Sequence, residues 1–201
     1  GKGDKFYGLL EASADAALLS ARALGTMLAD KSETPALDEF RVARRREKEL
    51  FAQINQELVN TFVTTLERED IEALAGALYK IPKTVEKFAE RYALFADRLT
   101  DIDYSSQAAM LARASEVIVN MVGELRKGFK LDVMHALNER MQSIESEADR
   151  LLLELYRDLF ADQADAGKLM VRKDLFELLE KAIDRCRDAG NVIYQIALKN
   201  S

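Results

Sequence analysis

Two sets of acidic residues recur at four-residue steps in the second half of the chain. Glu145 and Asp149 form the first set, and Glu180, Asp184 and Asp188 form the second. Like charges one helical turn apart repel each other, by about 0.2–0.5 kcal/mol per pair. A bound cation would relieve that repulsion, and carboxylate oxygens suit hard divalent cations as well as iron, zinc and manganese. The spacing therefore predicts a candidate site for a divalent, iron or zinc ion.

A plain solvated surface is the alternative interpretation of the same acids. Lys181, Arg185 and Arg187 stand three or four residues from them and could neutralise them within the helix. The single histidine, His135, lies well before both acidic sets, and the sequence contains no Glu-x-x-His pair. A ferritin-like di-iron centre is therefore not indicated. Metal site and solvated face both stay open at this point.

Basic residues repeat the same spacing in the first half of the chain. Arg44 and Lys48 lie in the segment RVARRREK, and Lys80, Lys83 and Lys87 follow further on. Such a surface could bind phosphate, an acidic protein or lipid headgroups. It could equally be a solvated face neutralised by neighbouring glutamates. A third interpretation is that the basic face of one chain docks on the acidic face of another, as in a homodimer.

Composition restricts the class of protein. The chain has 201 residues, 48% of them apolar and 32% charged, with a net charge of −6, which does not indicate wholesale nucleic-acid binding. Cys186 is the only cysteine and falls on an apolar helical face, so we expect it to be buried rather than catalytic. No secretory signal pattern and no long uncharged apolar run is present, so we expect a cytoplasmic protein without a membrane span.

Apolar residues at three- and four-residue steps predict helices throughout, with no strand. Thr34 with Pro35, and then Thr65, are expected to begin the second and third helices, and Gly128 to follow the end of the fourth. Pro82 is expected to kink the third. The first predicted helix runs from Asp4 to Asp30, the second ends at Phe62, and the third runs from Thr65 to Leu99. The fourth ends at Lys127, the fifth runs from Leu131 to Phe160, and the sixth runs from Lys168 to Lys199.

A shift of the chain against itself by 101 residues aligns its apolar positions. Leu10 then meets Leu111, and Leu74 meets Leu175. One register holds across three helices and two loops, which indicates a tandem duplication of a three-helix unit. We therefore predict an all-α fold in which a first repeat, residues 1–100, and a second, residues 101–201, pack as one compact helical domain.

Under this shift the acids of the second half meet a different set of residues. A helical wheel places Glu180, Asp184 and Asp188 on the solvent side of the sixth helix, and neighbouring fifth and sixth helices would put all five acids on one shallow surface. Four of the five acids align with a cation. The aligned pairs are Glu145 with Arg44, Asp149 with Lys48, Glu180 with Tyr79, Asp184 with Lys83, and Asp188 with Lys87.

Three segments carry a resemblance to a known family. The segment TFVTTLEREDIEALAGAL, residues 61–78, resembles the turn-and-helix signature of PhoU-like phosphate-transport accessory proteins, in the branch associated with Pit-type transporters. The segments IESEADRLLLELYRDLF and DLFELLEKAIDRCRDAGNVIYQIAL are similar to that family's second-repeat signatures. The resemblance covers nearly the whole chain in the same order, and REDI, at Arg68 to Ile71, is its most distinctive part.

The resemblance implies two three-helix bundles and a cytoplasmic regulator that meets an inner-membrane phosphate transporter, with peripheral membrane association. Family members carry Glu/Asp-x-x-x-Asp motifs that can hold metal clusters. The first is matched here by Glu145 with Asp149, and the second by Glu180 with Asp184, extended by Asp188. The first repeat departs from that pattern at Arg44, Lys48, Tyr79, Lys83 and Lys87, so a metal site is not expected there.

Three functions remain after these observations. The first is a non-enzymatic regulator or accessory protein of phosphate transport that acts through contact with a transporter or signalling partner. The second is a helical scaffold or adaptor with no metal and no transporter role. The third is a metal-dependent enzyme, against which the sequence offers no glycine-rich phosphate loop and no group to activate Ser143 or Ser146.

Overall fold

A computed structural model describes residues 2–31, 34–161 and 165–201, with side chains from residue 5 onward. Its helices are α1 Lys2–Ala29, α2 Asp38–Asn60, α3 Arg68–Phe95, α4 Ser105–Leu125, α5 Leu131–Ala161 and α6 Ala166–Lys199, with a 3-10 turn at Ala96–Arg98 after α3. Within those ranges no strand is present, so the predicted all-α class of six long helices is confirmed. None of these helices combines the length and apolarity needed to cross a bilayer.

Helix packing follows the predicted duplication. Helices α1, α2 and α3 contact one another, and α4, α5 and α6 do the same. The two three-helix bundles meet through α1 against α4 and through α3 against α6. Helices α2 and α5 therefore lie on the outside, each against two helices of its own bundle. The division of the chain into repeats 1–100 and 101–201 stays a prediction.

Repeat-equivalent leucines fill equivalent places in the core. Leu10 and Leu111 are both fully buried, as are Leu74 and Leu175. Burial of a leucine side chain contributes about 1.5–3 kcal/mol relative to leaving it exposed. The same spacing of apolar residues thus builds each bundle and leaves the polar faces of its helices to the sites described below.

Ion pairs between the bundles fix the direction of the packed helices. Near one end of the α3–α6 contact, Arg91 donates to Asp174 at 2.7 Å. Near the other end, Lys199 donates to Asp70 at 2.9 Å. The start of α3 thus lies beside the end of α6, and the two helices run antiparallel. Arg22 with Glu116, 3.4 Å apart, and Arg126 with Glu11 set the same antiparallel direction for α1 and α4.

Several predicted helix boundaries are corrected by the structure. The second helix begins at Asp38 rather than at Pro35, with Leu37 in the N-cap position. The third begins at Arg68 with Glu67, not Thr65, in its N-cap position. Gly128 does follow α4 and has a φ of +99°, a conformation that glycine adopts without steric cost. The predicted loop around residues 161–167 lies partly outside the described residues, and Asp165 caps α6 by accepting a hydrogen bond from the Lys168 amide at 2.9 Å.

Arg68 of the REDI segment joins the end of α2 to the start of α3. Its guanidinium donates hydrogen bonds to the carbonyl oxygens of Leu58, Thr61 and Phe62. The last carbonyls of a helix have no partner inside the helix, so one arginine satisfies several of them at once. The most distinctive part of the sequence signature therefore holds the α2–α3 turn in place.

Candidate metal centre

Three of the five predicted acids converge between α5 and α6. Glu145, Asp149 and Asp184 each place one carboxylate oxygen within 4.8 Å of the others. Residues 145 and 149 share one face of α5, and residue 184 lies on the face of α6 that packs against it. We call these three residues the acidic triad. Three carboxylates at this separation provide oxygen ligands of the kind that divalent cations accept.

Glu180 lies deeper than the sequence predicted. Only 8% of its surface is exposed, so its placement on the solvent side of the sixth helix is wrong. The reason is that α6 packs against α3, α4 and α5 at once, which buries more than one face of the helix. Burial, a hydrogen bond with Asp149 and the charge of Asp184 all raise the pKa of Glu180 above its ordinary range. Glu180 therefore favours the protonated form when no cation is present.

Asp188 lies apart from the acidic triad. Its carboxylate accepts a hydrogen bond from Arg187 at 3.2 Å and another from Arg185 at 3.4 Å. The predicted five-carboxylate surface is thus divided. Glu145, Asp149 and Asp184 converge, and Glu180 lies next to them as a fourth, more deeply buried acid. Asp188 instead pairs with Arg185 and Arg187.

Arg187 supplies the positive charge of the site. Its Nη1 atom lies 2.6 Å from Oε1 of Glu145 and 3.6 Å from Oδ1 of Asp184. Because the guanidinium reaches two members of the acidic triad, it takes the place that a cation would occupy electrostatically. Of the three cations that the sequence suggested as neutralising partners, Arg187 is the one whose ion pairs reach the acidic triad.

Two observations bear on how well the residues present would fit a cation. Among the described residues, Oδ1 of Asp184 and Oε2 of Glu180 are buried and find no hydrogen-bond partner, and such atoms are costly unless something satisfies them. Burial raises the pKa of Asp184, which Arg187 opposes and the nearby acids reinforce. The donor set of the acidic triad fits a hard divalent cation, provided that Arg187 turns away and protons leave.

The equivalent place in the first repeat has the opposite chemistry. Arg44 donates a hydrogen bond to the Tyr79 hydroxyl at 2.9 Å and stacks over its ring at 4.4 Å. Its Nε atom lies 4.0 Å from Oε1 of Glu86. A guanidinium occupies the position that Glu145 holds in the second repeat, so a cation site at this place is not favoured.

A buried acid in the first repeat was not identified from the sequence. Glu47 is 1% exposed and accepts a hydrogen bond from the Ser13 hydroxyl of α1. Burial raises its pKa to about 8, although Ser13 and two arginines oppose the shift. Its position on the apolar stripe of α2, three residues after Arg44 and three before Leu50, is the signal that could have revealed it.

Two further expectations concern single residues. Cys186 is fully buried, as predicted, and burial raises the pKa of its thiol to about 12. A thiol held protonated in this way is a poor nucleophile. His135 is exposed on α5, where its ring lies beside Tyr194 and 3.1 Å from Glu139, away from the acidic triad.

The fold is that of PhoU-like proteins, which confirms the resemblance noted in the sequence. A PhoU-like protein from Shewanella oneidensis MR-1 superimposes with a TM-score of 0.84 at 17% identity, covering 96% of this chain and 99% of that one. A second PhoU-like structure from the same organism gives a TM-score of 0.81 at 17% identity, over the same shares of the two chains.

Two curated proteins are similar in sequence. One is the "Putative pit accessory protein" of Rhizobium meliloti (strain 1021), 22% identical over 98% of this chain and 94% of its own length. The other is the UPF0111 protein YkaA of Bacillus subtilis (strain 168), 24% identical over 73% of this chain and 71% of its own length. No family model matches the chain.

Proposed function

We propose that this chain is a non-enzymatic accessory protein of phosphate transport that acts by contact with a Pit-type transporter. The observation that carries this proposal is the relation, across nearly the full length of both chains, to a protein named as a pit accessory protein. One structural relative points in the same direction, since it is described as a "putative PhoU-like phosphate regulatory protein". We place the protein at the cytoplasmic face of the membrane that contains the transporter.

An exposed apolar tip between α2 and α3 supports a role in protein contact. Val59, Phe62 and Val63 are 80%, 96% and 74% exposed. Aromatic and aliphatic side chains at the centre of an interface supply much of the binding energy, and they gain it only when a partner covers them. Arg68 holds this tip rigidly against α3, which lowers the entropy lost on binding.

A transport assay with a contact variant tests the proposal. Deleting the gene should change phosphate uptake through the transporter, and the purified chain should co-purify with the transporter from detergent-solubilised membranes. Phe62→Asp should weaken that co-purification, whereas Leu19→Asp, which alters another exposed apolar residue on α1, should not. Unchanged uptake together with no co-purification would leave a helical scaffold as the better assignment.

We further propose that the acidic triad binds one divalent cation. The cation would be held by carboxylates of Glu145, Asp149 and Asp184, with Glu180 available beneath them after it loses its proton. When bound, it would supply positive charge that holds α5 against α6. Metal analysis of protein purified without an affinity metal column tests this, with Glu180→Gln/Asp184→Asn as the comparison. The same preparation, examined by light scattering, tests our proposal that the chain forms a homodimer.

A further inference from the structure

A recess between α3 and α6 carries a concentration of positive charge that lies apart from the acidic triad. Its volume is about 150 Å³. Helix α3 contributes four of its lining residues and α6 contributes two, so the recess belongs to the contact between the two bundles. The lining residues are Lys80, Lys83, Thr84, Lys87, Lys181 and Arg185. Five of the six are cationic, and none is acidic.

The register of the two helices explains why these cations meet. The ion pairs Arg91–Asp174 and Lys199–Asp70 fix the ends of the antiparallel contact. At its midpoint the segment around Lys83 of α3 must therefore face the segment around Arg185 of α6. Positions 84 and 185 are equivalent under the 101-residue shift, as are 80 and 181. The recess thus lies where matching segments of the two repeats face each other.

The lysines of the recess have no acid to neutralise them. Across the described residues, Lys80, Lys83, Lys87 and Lys181 form no ion pair within 4.0 Å. Each is exposed on the helix surface. In contrast, Arg91 and Lys199, near the two ends of this helix pair, do reach carboxylates. Several ammonium groups that share one recess repel one another, and a bound anion would remove that repulsion.

Arg185 adds a donor that points to the same conclusion. Within the part of the chain that the structure describes, its Nε atom is buried without a hydrogen-bond partner, while its Nη1 atom makes a long contact, 3.4 Å, with Asp188. A buried guanidinium donor left without an acceptor is costly. Planar guanidinium groups pair with phosphate oxygens through two parallel hydrogen bonds. Thr84 cannot serve as such a donor, because its hydroxyl already donates to the Lys80 carbonyl at 2.9 Å.

We propose that this recess binds a small phosphate-type oxyanion, inorganic phosphate or the phosphoryl group of a small metabolite. The charge, the unused guanidinium donor and the absence of lining acids select an anion with several oxygens. The volume equals that of roughly five water molecules at about 30 Å³ each, which suits a phosphate ion with part of its hydration shell. This site requires no transporter partner, so its test is separate from that of the transport role.

Isothermal titration calorimetry of the full chain with inorganic phosphate tests the proposal. The titration is run in a phosphate-free buffer at constant ionic strength, with chloride as the reference anion. We expect saturable binding of one phosphate per chain. Lys83→Gln/Lys87→Gln should weaken it by at least about tenfold, which corresponds to about 1.4 kcal/mol. Lys181→Gln/Arg185→Gln should do the same from the α6 side, because both repeats line the recess.

A matched control separates the recess from a general effect of charge. Arg45→Gln/Lys48→Gln removes the same charge from exposed positions of α2 that lie outside the recess. That variant should bind phosphate within about twofold of the unaltered chain. Equal weakening in control and recess variants, or no saturable binding at about 10 mM phosphate, would overturn the proposal. An acidic peptide that binds to the same lysines and is not displaced by phosphate would also overturn the proposal. The recess would then be a protein-docking surface. A small phosphate ester binding as inorganic phosphate does would support it.

Discussion

Arg187 and Glu145 form an ion pair across α6 and α5, with 2.6 Å between Nη1 and Oε1. The same two positions in the first repeat hold Glu86 and Arg44, whose charged atoms lie 4.0 Å apart. Both contacts join the second and third helices of a bundle at equivalent positions, but the position that is acidic in one repeat is basic in the other. Each bundle therefore keeps one arginine–carboxylate contact between its second and third helices, although the surrounding residues have opposite charges.

Removing Arg187 should expose the acidic triad to added cations. Arg187→Gln leaves Glu145 and Asp184 without their close positive charge, so the free energy of unfolding near neutral pH should fall by about 1–3 kcal/mol. Manganese should restore more stability to this variant than to the unaltered chain. Thermal unfolding with and without manganese measures both effects. Arg185→Gln is the control, because the ion pair that Arg185 forms is with Asp188, outside the acidic triad. Equal stabilisation of all three proteins would mean that Arg187 does not compete with a cation.

Cation binding by the acidic triad should depend on pH. The pKa values of Asp184 and Glu180 are raised by burial, so protons compete with a cation until the pH passes those values. Affinity for manganese should therefore increase between about pH 5 and pH 8. Titrations followed by manganese relaxation measure this, and Asp184→Asn should abolish binding. An affinity that is constant over that range would contradict the assignment of the site to these acids.

Exchange of the two partners tests the equivalence of the repeats. Glu145→Arg and Arg187→Glu should each destabilise the second bundle, because each places two like charges in contact. The double exchange recreates the order found at Arg44 and Glu86, so it should recover part of the loss. A double-mutant cycle in urea should give a coupling energy of about 0.5–3 kcal/mol. Additive losses would show that the contact contributes little at this place.

Glu47 should make the stability of the chain depend on pH. Its pKa is about 8 in the folded chain against the usual 4.5, so the folded chain holds a proton that the unfolded chain releases over this range. The free energy of unfolding therefore falls as the pH rises from about 4.5 to 8, by up to about 1.4 kcal/mol per pKa unit. Glu47→Gln should flatten this slope and be the more stable protein at about pH 9.

Urea unfolding at about pH 5 and pH 9 measures the effect of Glu47. Glu49→Gln, at an exposed position two residues further along α2, is the matched control and should leave the slope unchanged. If both variants show the slope of the unaltered chain, the pH dependence has its origin elsewhere.

Removal of the Arg68 side chain should make the apolar tip at Val59, Phe62 and Val63 less rigid. Arg68→Ala leaves the carbonyls of Leu58, Thr61 and Phe62 without their donor, at an expected cost of about 1–3 kcal/mol. Hydrogen exchange should become faster at the end of α2. Arg45→Ala, at an exposed position within α2, should have little effect on either measurement. An Arg68→Ala variant as stable as that control would show that water replaces the arginine at no cost.

The all-α fold could be predicted from the sequence because apolar residues recur at regular three- and four-residue steps. Leu10 with Leu111 and Leu74 with Leu175 indicate a repeat in the sequence, and all four are core residues. Burial of Glu180 could not be predicted from the sequence, because a helical wheel assumes one buried face whereas α6 packs against three helices. The contact of Arg187 with Glu145 joins different helices, and spacing along one helix does not report it.

The basic recess was only half visible in the sequence. The spacing of Lys80, Lys83 and Lys87 indicates one basic face, whereas the spacing of Lys181 and Arg185 indicates only pairing with the acids of their own helix. Nothing in one helix indicates which other helix it will face. The antiparallel contact of α3 with α6 assigns both α6 cations to the lysines of the other repeat.

Exchange of charge between the two bundles gives the molecule a direction. Two bundles of the same shape and the same sign of charge would offer a partner two interchangeable ways to bind. A partner with one positive and one negative region would meet opposite charges in one orientation and like charges in the other. The exchanged pairs Arg44–Glu86 and Glu145–Arg187 thus make two bundles of similar shape electrostatically distinguishable.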